Sequence, residues 1–362
     1  MPFQIIRNDI TKVKADAIVN TANPKPCVGS GTDSAIYSAA GEAQLLAARK
    51  KIGDIAPGQA FHTDAFGLDA KYIIHTVGPV WIDGIHGERE ILRSCYEKSL
   101  ALAAELKCQS IAFPLIASGV YGFPKDEALQ IALSEISRFL LTHEMKVLLV
   151  VFGRKALQLS ERLVGSIEQY IDDHAEQRLY DAEYGSGESN RSRRFLRSRE
   201  ELLEVQDFDA LPYEDDAVLE EAKEVDAGPA LRDDLLNLSG KSLDEVLGGK
   251  SETFQQRLLK LIDQSGMTDV AVYKKANIDR KVFSSIRCKP DYKPKKKTAL
   301  AFAIALELDL PTTRDLLSRA ELAFSPSNRF DLIVSYFITN KKYDIFEINA
   351  ALFQYGQPIL GE

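Results

Sequence analysis

The segment Ala17-Ile-Val-Asn-Thr-Ala-Asn-Pro-Lys-Pro-Cys-Val-Gly-Ser-Gly-Thr-Asp33 carries the strongest structural signal in this chain. Its apolar start is typical of a buried strand, and two side-chain amides, Asn20 and Asn23, come at the end of that strand. A loop rich in proline and glycine follows. Asp33 then begins a helical pattern as its expected N-cap, because a carboxylate there can accept the free amides of the first turn. A strand, a glycine loop and a helix N-terminus in this order favour binding of a phosphorylated sugar or nucleotide.

A second segment repeats this arrangement. Ser110-Ile-Ala-Phe-Pro-Leu-Ile-Ala-Ser-Gly-Val-Tyr-Gly-Phe-Pro124 predicts another buried strand, which runs into a turn at Ser118-Gly119. A helix is expected from Lys125, because proline is favoured at helix starts. Open α/β sheets bind their ligands at the carboxyl ends of the strands, so we expect the two loops to be neighbours. Two sets of backbone amides indicate a ligand with two polar parts, such as a diphosphate and a distal sugar.

Five motifs, taken together and in this order, resemble the macrodomain family. They are Asn8-Asp-Ile-Thr11, Asp16-Ala-Ile-Val-Asn-Thr-Ala-Asn23, Gly29-Ser-Gly-Thr-Asp33, Tyr72-Ile-Ile-His-Thr-Val-Gly-Pro79 and Ser118-Gly-Val-Tyr-Gly-Phe-Pro124. The resemblance covers residues 1–174. It implies an α/β fold, a three-layer α/β/α macrodomain with a mixed central sheet, that binds ADP-ribose. Family members of the MacroD type hydrolyse ADP-ribose from modified proteins or deacetylate its O-acetyl ester.

The resemblance also implies roles for individual residues. Asn23 and Asp33 are the expected catalytic residues: Asn23 would hold a ribose hydroxyl, and Asp33 would orient or deprotonate a water near the anomeric carbon. A carboxylate suits this position, because positive charge develops on the sugar as the ADP-ribosyl bond breaks. The expected ligand-binding residues are Asp9, Ile10 and Phe152 at the adenine, Ser118, Gly119, Val120 and Tyr121 around the diphosphate, Gly29, Ser30 and Gly31 along the distal ribose, and Asn20.

Several of these roles have plainer alternatives. An isolated aspartate before a helix would be an N-cap and nothing more. Asn20 would otherwise tie down the loop by bonding backbone groups. Phe152, at a strand end, would otherwise belong to the core. His75 lies inside an apolar run, and we expect it to be a core histidine with its hydrogen bonds satisfied. Ser30 stands where the MacroD pattern usually has a third glycine.

Other macrodomain chemistries fit this sequence less well. The zinc-dependent type needs a Cys/His cluster near the first loop, and Cys27 has no such partners nearby in the sequence. The poly-ADP-ribose glycohydrolase type needs adjacent glutamates after its glycine loop, and Thr32-Asp-Ser34 does not supply them. We therefore expect no metal and no cofactor. The four cysteines are scattered without CxxC spacing, as in a reduced cytoplasmic protein.

Composition sets the general class of protein. With 362 residues the chain is long for one domain, and a hydrophobic content of 45% supports a substantial core. The formal net charge of -8 argues against a surface that binds nucleic acid throughout, although it averages over very different segments. No apolar run approaches the length of a membrane span, and the N-terminus lacks the pattern of a signal peptide. We expect a cytoplasmic protein without a membrane partner.

The composition changes after residue 174. A dense basic block, Arg191-Ser-Arg-Arg-Phe-Leu-Arg-Ser-Arg199, is followed by a stretch whose charged residues are nearly all acidic, from Glu200 to Asp226. Hydrophobic periodicity is poor, so residues 175–250 are predicted to form a charged linker that is flexible or partly helical. The basic block would contact nucleic acid or pair with the acidic stretch.

Residues 251–362 predict a helical domain. An amphipathic helix closed by Ser265-Gly266 comes first, followed by two short helices over Thr268–Arg287 with Thr268 and Asp279 as N-caps. Asn277 occupies the turn between them, where a left-handed backbone is needed. These features resemble the helix-turn-helix of phage-repressor-type regulators. Further helices are expected over 295–306, 311–317, 330–338 and 345–353.

The partner of this helical domain stays open. Tyr273 stands where the repressor-type pattern usually has a small alanine, and the expected recognition helix starts with Asp279, an acid poorly suited to reading bases. A DNA partner and a protein partner are both compatible with the sequence, and we favour the protein contact or a scaffold role. The sequence as a whole predicts an ADP-ribosyl hydrolase that acts on an ADP-ribosylated macromolecule or on O-acetyl-ADP-ribose. The alternatives are a non-enzymatic ADP-ribose reader and a nucleotide-sensing DNA-binding regulator.

Overall fold

The computed structural model of the protein describes residues 2–153, 157–184 and 252–361. Most of the expected linker, and with it the basic block and the acidic stretch, lies outside the described residues. Met1–Tyr170 and Glu252–Glu362 belong to one compact unit, so the expected macrodomain and the C-terminal helices pack against each other.

A mixed six-stranded sheet forms the centre of the first half. The strand order is β1-β6-β5-β2-β4-β3, and of the paired strands β3 alone runs antiparallel to its neighbour, β4. The strands are β1 (Phe3–Arg7), β2 (Ala17–Thr21), β3 (Ala60–Asp64), β4 (Tyr72–Thr76), β5 (Ser110–Pro114) and β6 (Lys146–Val151).

Helices cover both faces of this sheet, since strands buried on both faces need a helical layer on each side. The helices of this half are α1 (Thr32–Ala40), α2 (Glu42–Ile52), α3 (Glu88–Glu105), α4 (Lys125–Thr142) and α5 (Glu161–Tyr184), with a short 3₁₀ helix at Ile10–Lys12. On one face Ile36 of α1 and Leu45 of α2 share a buried cluster with Ile18 and Ile73. On the other face Tyr96 of α3 packs against Phe113 of β5, with their ring centroids 5.2 Å apart. The predicted three-layer α/β/α fold is confirmed.

The two expected ligand loops follow neighbouring strands. β2 and β5 pair in parallel, so the loop after Thr21 and the loop after Pro114 both leave the sheet at its carboxyl edge. One local prediction is wrong: Asp33 is not the N-cap of α1. The N-cap is Gly31, and Asp33 lies in the first turn of the helix with its carboxylate bonded elsewhere. The helix therefore begins two residues earlier than the sequence pattern suggested, directly after Gly31, whose φ of 65° glycine adopts readily.

Seven described helices form the second half of the chain. They are α6 (Phe254–Ser265), α7 (Asp269–Lys275), α8 (Arg280–Cys288), α9 (Lys296–Ala305), α10 (Leu310–Ser318), α11 (Arg329–Thr339) and α12 (Ile345–Gln354). The predicted N-caps are confirmed, since Thr268 accepts from Ala271 N–H and Asp279 accepts from Lys281 N–H. Asn277 has a φ of 53°, the left-handed turn residue that the sequence predicted. The second half is therefore helical throughout its regular elements, as expected.

The helices cover the outer edge of β1. At this edge the Phe3 N–H donates to Asn277 Oδ1 (2.9 Å), and Asn277 Nδ2 donates to the Phe3 carbonyl (3.0 Å). Both residues are fully buried, and the Phe3 ring packs on Phe346 of α12 at 5.0 Å. A free edge strand exposes unpaired backbone groups that attract other strands. The turn between α7 and α8 thus pairs with backbone groups of Phe3 that an edge strand would otherwise leave without partners.

Candidate functional site

A cleft of about 320 Å³ opens at the carboxyl edge of the sheet, between the loops that follow β2 and β5. It brings together eight of the predicted site residues: Asn23, Gly29, Ser30, Gly31, Asp33, Gly119, Val120 and Tyr121. Its lining also includes residues that the sequence interpretation missed: Thr21, Thr32, Gly78, Leu115 and Ala117. Of these, Gly78 belongs to the Tyr72–Pro79 motif that carried the resemblance, and that motif was the available signal.

Asp33 lies at the base of the cleft wall with only 2% of its surface exposed. Its Oδ1 accepts a hydrogen bond from Asn20 Nδ2 at 2.6 Å, and its Oδ2 accepts one from the Gly29 backbone N–H at 2.6 Å. Burial raises the pKa of the Asp33 carboxyl, while these two donors and the Arg49 guanidinium oppose that increase. The result is a fixed carboxylate with a raised pKa, a combination typical of catalytic acids and bases.

Asn23 faces Asp33 across Gly29. The absence of a side chain at Gly29 is required here, since a Cβ at this position would lie 2.5 Å from Asn23 Nδ2 and 3.0 Å from Asp33 Oδ2. Asn23 Nδ2 also donates to the Cys27 carbonyl at 3.4 Å, which restrains the amide within its own loop. The amide and the carboxylate can therefore act on the same small region of the cleft.

The side chain of Arg49, on α2, holds the loop after β2 in place. It is 1% exposed, and its Nη2 donates to the carbonyls of Asn23 (3.2 Å) and Pro24 (3.3 Å), while Nη1 donates to the Gly53 carbonyl. A buried guanidinium needs such acceptors on every side. Arg49 fixes the backbone that carries Asn23 and adds positive charge near Asp33.

Asn20 does not face the cleft. It is fully buried in β2, and its side-chain nitrogen bonds Asp33 and lies 3.2 Å from His75 Nδ1. Neither of its sequence-based interpretations, a ligand-binding amide and a loop tie through backbone groups, describes these contacts. His75 is buried in β4 as expected, with Nε2 3.0 Å from Thr63 Oγ1.

The residues expected at the adenine lie along the carboxyl edge outside the cleft just described. Asp9 Oδ1 accepts from both the backbone N–H and the hydroxyl of Thr11, and these bonds lower the pKa of Asp9. Ile10 is buried directly after it. Phe152 lies immediately after β6 and is 79% exposed. The alternative interpretation, in which Phe152 belongs to the core, is therefore wrong. Phe152 and Asp9 follow two paired parallel strands, and an exposed aromatic ring at this edge is suited to stack on a flat heterocycle.

The loop after β5 closes the other side of the cleft. Ser118 is not part of the lining, because its hydroxyl turns back to donate to the Leu115 carbonyl at 2.8 Å and holds the turn. Val120 is exposed at the rim. Burial, with the charge of Asp33 as a further contribution, raises the pKa of Tyr121 and keeps its hydroxyl protonated at neutral pH.

One group of possible metal ligands occurs in the described part of the chain, formed by Asp83, His86 and Glu88. The carboxylate oxygens of Asp83 and Glu88 already take part in hydrogen bonds within the protein. Glu88 accepts from the backbone N–H groups of residues 82, 83, 84 and 86, and Asp83 bonds the His86 ring. These bonds shape the loop before α3, and we assign no metal to them.

Comparison of the sequence with known proteins identifies the family of this chain. The sequence model of the Macro domain matches residues 19–132. A "Macro domain-containing protein" of Methanosarcina mazei is 45% identical over 167 residues, which are 46% of this chain and 89% of that protein. An "O-acetyl-ADP-ribose deacetylase" of Klebsiella pneumoniae is 44% identical over 169 residues, 45% of this chain and 96% of that protein. A solved Oceanobacillus iheyensis macrodomain with ADP is 38% identical, with 44% and 84% of the two chains covered and a TM-score of 0.40. This chain belongs to the macrodomain family.

Proposed function

We propose that this protein hydrolyses ADP-ribose from mono-ADP-ribosylated substrates or deacetylates O-acetyl-ADP-ribose. The observation that supports this most directly is the nearly buried Asp33 carboxylate, held by two hydrogen bonds beside Asn23 at the wall of the cleft. A relative of 44% identity that carries the name O-acetyl-ADP-ribose deacetylase supports the same chemistry.

In the proposed reaction Asp33 accepts a proton from a water molecule as that water attacks. With a glycosidic ester, the water oxygen bonds the anomeric carbon, and the bond to the acceptor oxygen breaks, so that ADP-ribose and the free acceptor are released. With the acetyl ester, the water oxygen bonds the acetyl carbonyl carbon, the bond from that carbon to the ribose oxygen breaks, and the ribose oxygen takes the proton from Asp33, so that acetate and ADP-ribose are the products. Asn23 holds a ribose hydroxyl, and the carboxylate stabilises positive charge on the sugar.

The remaining predicted residues would bind the rest of the ligand. We propose that Asp9, Ile10 and Phe152 take the adenine and that backbone groups from Ser118 to Tyr121 take the diphosphate. Gly29, Ser30 and Gly31 would line the distal ribose. For Asn20 we propose a positioning role instead of ligand contact, because its amide is fully buried.

The test is a panel of ADP-ribosylated substrates with Asp/Glu, Ser, Arg or nucleic-acid linkages, together with O-acetyl-ADP-ribose, in which release of ADP-ribose is measured. The hydrolase proposal expects release from at least one linkage. If ADP-ribose binds in calorimetry and nothing is released from any substrate, the protein is a reader of ADP-ribose.

For the C-terminal part we propose a helix-turn-helix-like domain over 251–362, joined to the macrodomain of residues 1–174 through a linker over 175–250. A scaffold role is favoured over DNA binding by one observation. Asp279, Arg280 and Lys281, at the start of α8, line a groove together with Glu144 and Lys146 of the macrodomain. A DNA duplex would need the space that the macrodomain occupies there.

We also propose a cytoplasmic location. Cys27, Cys95, Cys108 and Cys288 are all free, which suits a reducing compartment. Among the residues that the structure describes, none of the helices combines the length and the apolar character that a bilayer crossing requires.

A further inference from the structure

Behind Asp33, four buried side chains from three strands and a helix form a continuous hydrogen-bond chain. Thr63 Oγ1 lies 3.0 Å from His75 Nε2, His75 Nδ1 lies 3.2 Å from Asn20 Nδ2, and the same Asn20 nitrogen lies 2.6 Å from Asp33 Oδ1. We propose that Thr63, His75 and Asn20 form a positioning relay that fixes the amide orientation of Asn20 and thereby keeps Asp33 ionised. The inference rests on the catalytic role proposed above for Asp33.

The direction of each hydrogen bond follows from the Thr63 hydroxyl. Its single proton is donated to the Asp64 carbonyl at 3.0 Å, so its oxygen acts as an acceptor toward His75. His75 must then carry its proton on Nε2, which leaves Nδ1 as an acceptor. Asn20 can satisfy that acceptor only with its nitrogen. A hydroxyl on β3 thus selects the histidine tautomer, and the tautomer selects the amide orientation.

The other atom of the Asn20 amide supports this argument. Asn20 Oδ1 is buried and has no hydrogen-bond partner among the described residues. A buried carbonyl oxygen without a partner costs about 1–3 kcal/mol, so the amide would turn if that oxygen decided its orientation. The orientation of the amide is set by Asn20 Nδ2 instead, because this nitrogen donates to both His75 Nδ1 and Asp33 Oδ1. With the amide reversed, the carbonyl oxygen would face the Asp33 carboxylate at the same short distance and repel it.

The charged and titratable groups around the relay are consistent with a neutral histidine. Burial, together with the nearby Arg49 of α2 and His62 of β3, lowers the pKa of His75 to about 3. The positive charge of Arg49 also acts on Asp33, where it favours the ionised carboxylate. Tyr37 of α1 stays protonated, because burial raises its pKa to about 12. His75 therefore does not supply charge to Asp33. Its contribution is the position of its one proton.

The decisive variants are Thr63→Val and Thr63→Ser. Valine has nearly the shape of threonine and removes the acceptor for the His75 Nε2 proton. We expect the proton to move to Nδ1 and the Asn20 amide to reverse, so that its oxygen accepts from His75 and from a protonated Asp33. The pKa of Asp33 should then rise, because the hydrogen bond that Asn20 donates to its ionised form is lost. Serine keeps the hydroxyl and loses only a methyl group, so it should restore both the tautomer and the pKa.

Two NMR measurements on the full-length protein read the relay without relying on turnover. Imidazole ¹⁵N shifts give the tautomer of His75, and the carboxyl ¹³C shift of Asp33 gives its pKa. The proposal expects the Nε2–H tautomer in the wild type and in Thr63→Ser. It expects a shift toward Nδ1–H in Thr63→Val, with a higher pKa for Asp33 and unchanged affinity for ADP-ribose.

Either of two results would overturn the relay: an Nδ1–H or charged His75 in the wild type, or an unchanged Asp33 pKa in Thr63→Val. A histidine that only packs in the core would give the second result. Where turnover is present, the acid limb of kcat/KM should move with the Asp33 pKa in Thr63→Val and not in Thr63→Ser. Loss of turnover in the wild type would instead refute the proposed function and leave the NMR test of the relay intact.

Discussion

At the scale of single residues, Gly29 sets how closely Asn23 and Asp33 approach each other. A methyl group there would lie within 2.5 Å of Asn23 Nδ2, a contact that real Cβ atoms essentially never make. Gly29→Ala must therefore displace the Asn23 amide. We expect kcat/KM for O-acetyl-ADP-ribose to fall by about tenfold or more, because small errors in the placement of reacting groups are costly.

A matched control for this change is Gly165→Ala on α5. A Cβ at Gly165 meets nothing within 4 Å, and alanine is a better helix former than glycine. This variant should keep full activity and be slightly more stable in urea unfolding. Equal activity of the two variants would mean that the spacing between Asn23 and Asp33 does not limit the reaction.

The pH dependence of activity follows from Asp33. Its folded pKa is raised by burial above the value of about 3.9 for an exposed aspartate. Only the ionised carboxylate can accept the proton of water, so activity is present above the raised pKa and is lost as the pH falls through it. A pH profile of kcat/KM should therefore show an acid limb above about pH 4. An acid limb at or below that value would argue against Asp33 as the base.

The residues of the cleft differ in how far the sequence could predict them. Asn23, Asp33 and the glycines were accessible because they lie in one continuous segment beside a strand. Asp33 was misplaced as an N-cap because the sequence does not show that Gly31 takes a left-handed φ and begins the helix. Arg49 and His75 were not accessible as supporting residues, since their bonds to the Asn23 backbone and to Asn20 join separate elements.

At the scale of elements, the contact between the α7–α8 turn and β1 decides how the edge of the sheet is covered. Asn277→Gly should lower the free energy of unfolding by about 2–4 kcal/mol, because it leaves the Phe3 N–H and carbonyl buried without partners. Glycine adopts the left-handed φ of this position readily, so the loss reports the side-chain hydrogen bonds and not backbone strain. Urea unfolding of the full-length protein measures it.

Asn340→Ala serves as the comparison for this element. Asn340 is an exposed residue at the end of α11 whose side chain bonds only the Tyr336 carbonyl of its own helix. Its replacement should cost well under half as much as Asn277→Gly. If the two variants lose the same stability, the bonds to Phe3 contribute nothing beyond an ordinary surface contact.

The helices of the second half were predictable because their signals are local. Caps at Thr268 and Asp279 and the left-handed turn at Asn277 were all visible in short stretches of sequence. The docking of that turn was not visible, since Phe3 and Asn277 are 274 positions apart. The docking also gives a reason for Tyr273, which departs from the repressor-type pattern: its hydroxyl donates to Glu144 of the macrodomain at 3.2 Å.

At the scale of the whole molecule, the packing of the two halves predicts little sequence-specific DNA binding. The start of α8 shares a groove with the macrodomain, and Asp279 places an acid where bases would be read. In a selection from random duplexes at physiological salt, we expect no enriched motif. Any residual binding should weaken steeply with salt and disappear on charge reversal at Arg280 and Lys281. One enriched motif would instead favour the regulator.

A comparison of wild type with Asp33→Ala shows whether Asp33 acts in hydrolysis and not in binding. Release of ADP-ribose is measured on the best substrate of the linkage panel, and ADP-ribose affinity is measured by calorimetry on the same preparations. We expect Asp33→Ala to lose release by at least about a hundredfold while its affinity stays within a few-fold, because the carboxylate acts on water and on the transition state. Undiminished release by Asp33→Ala would contradict this expectation.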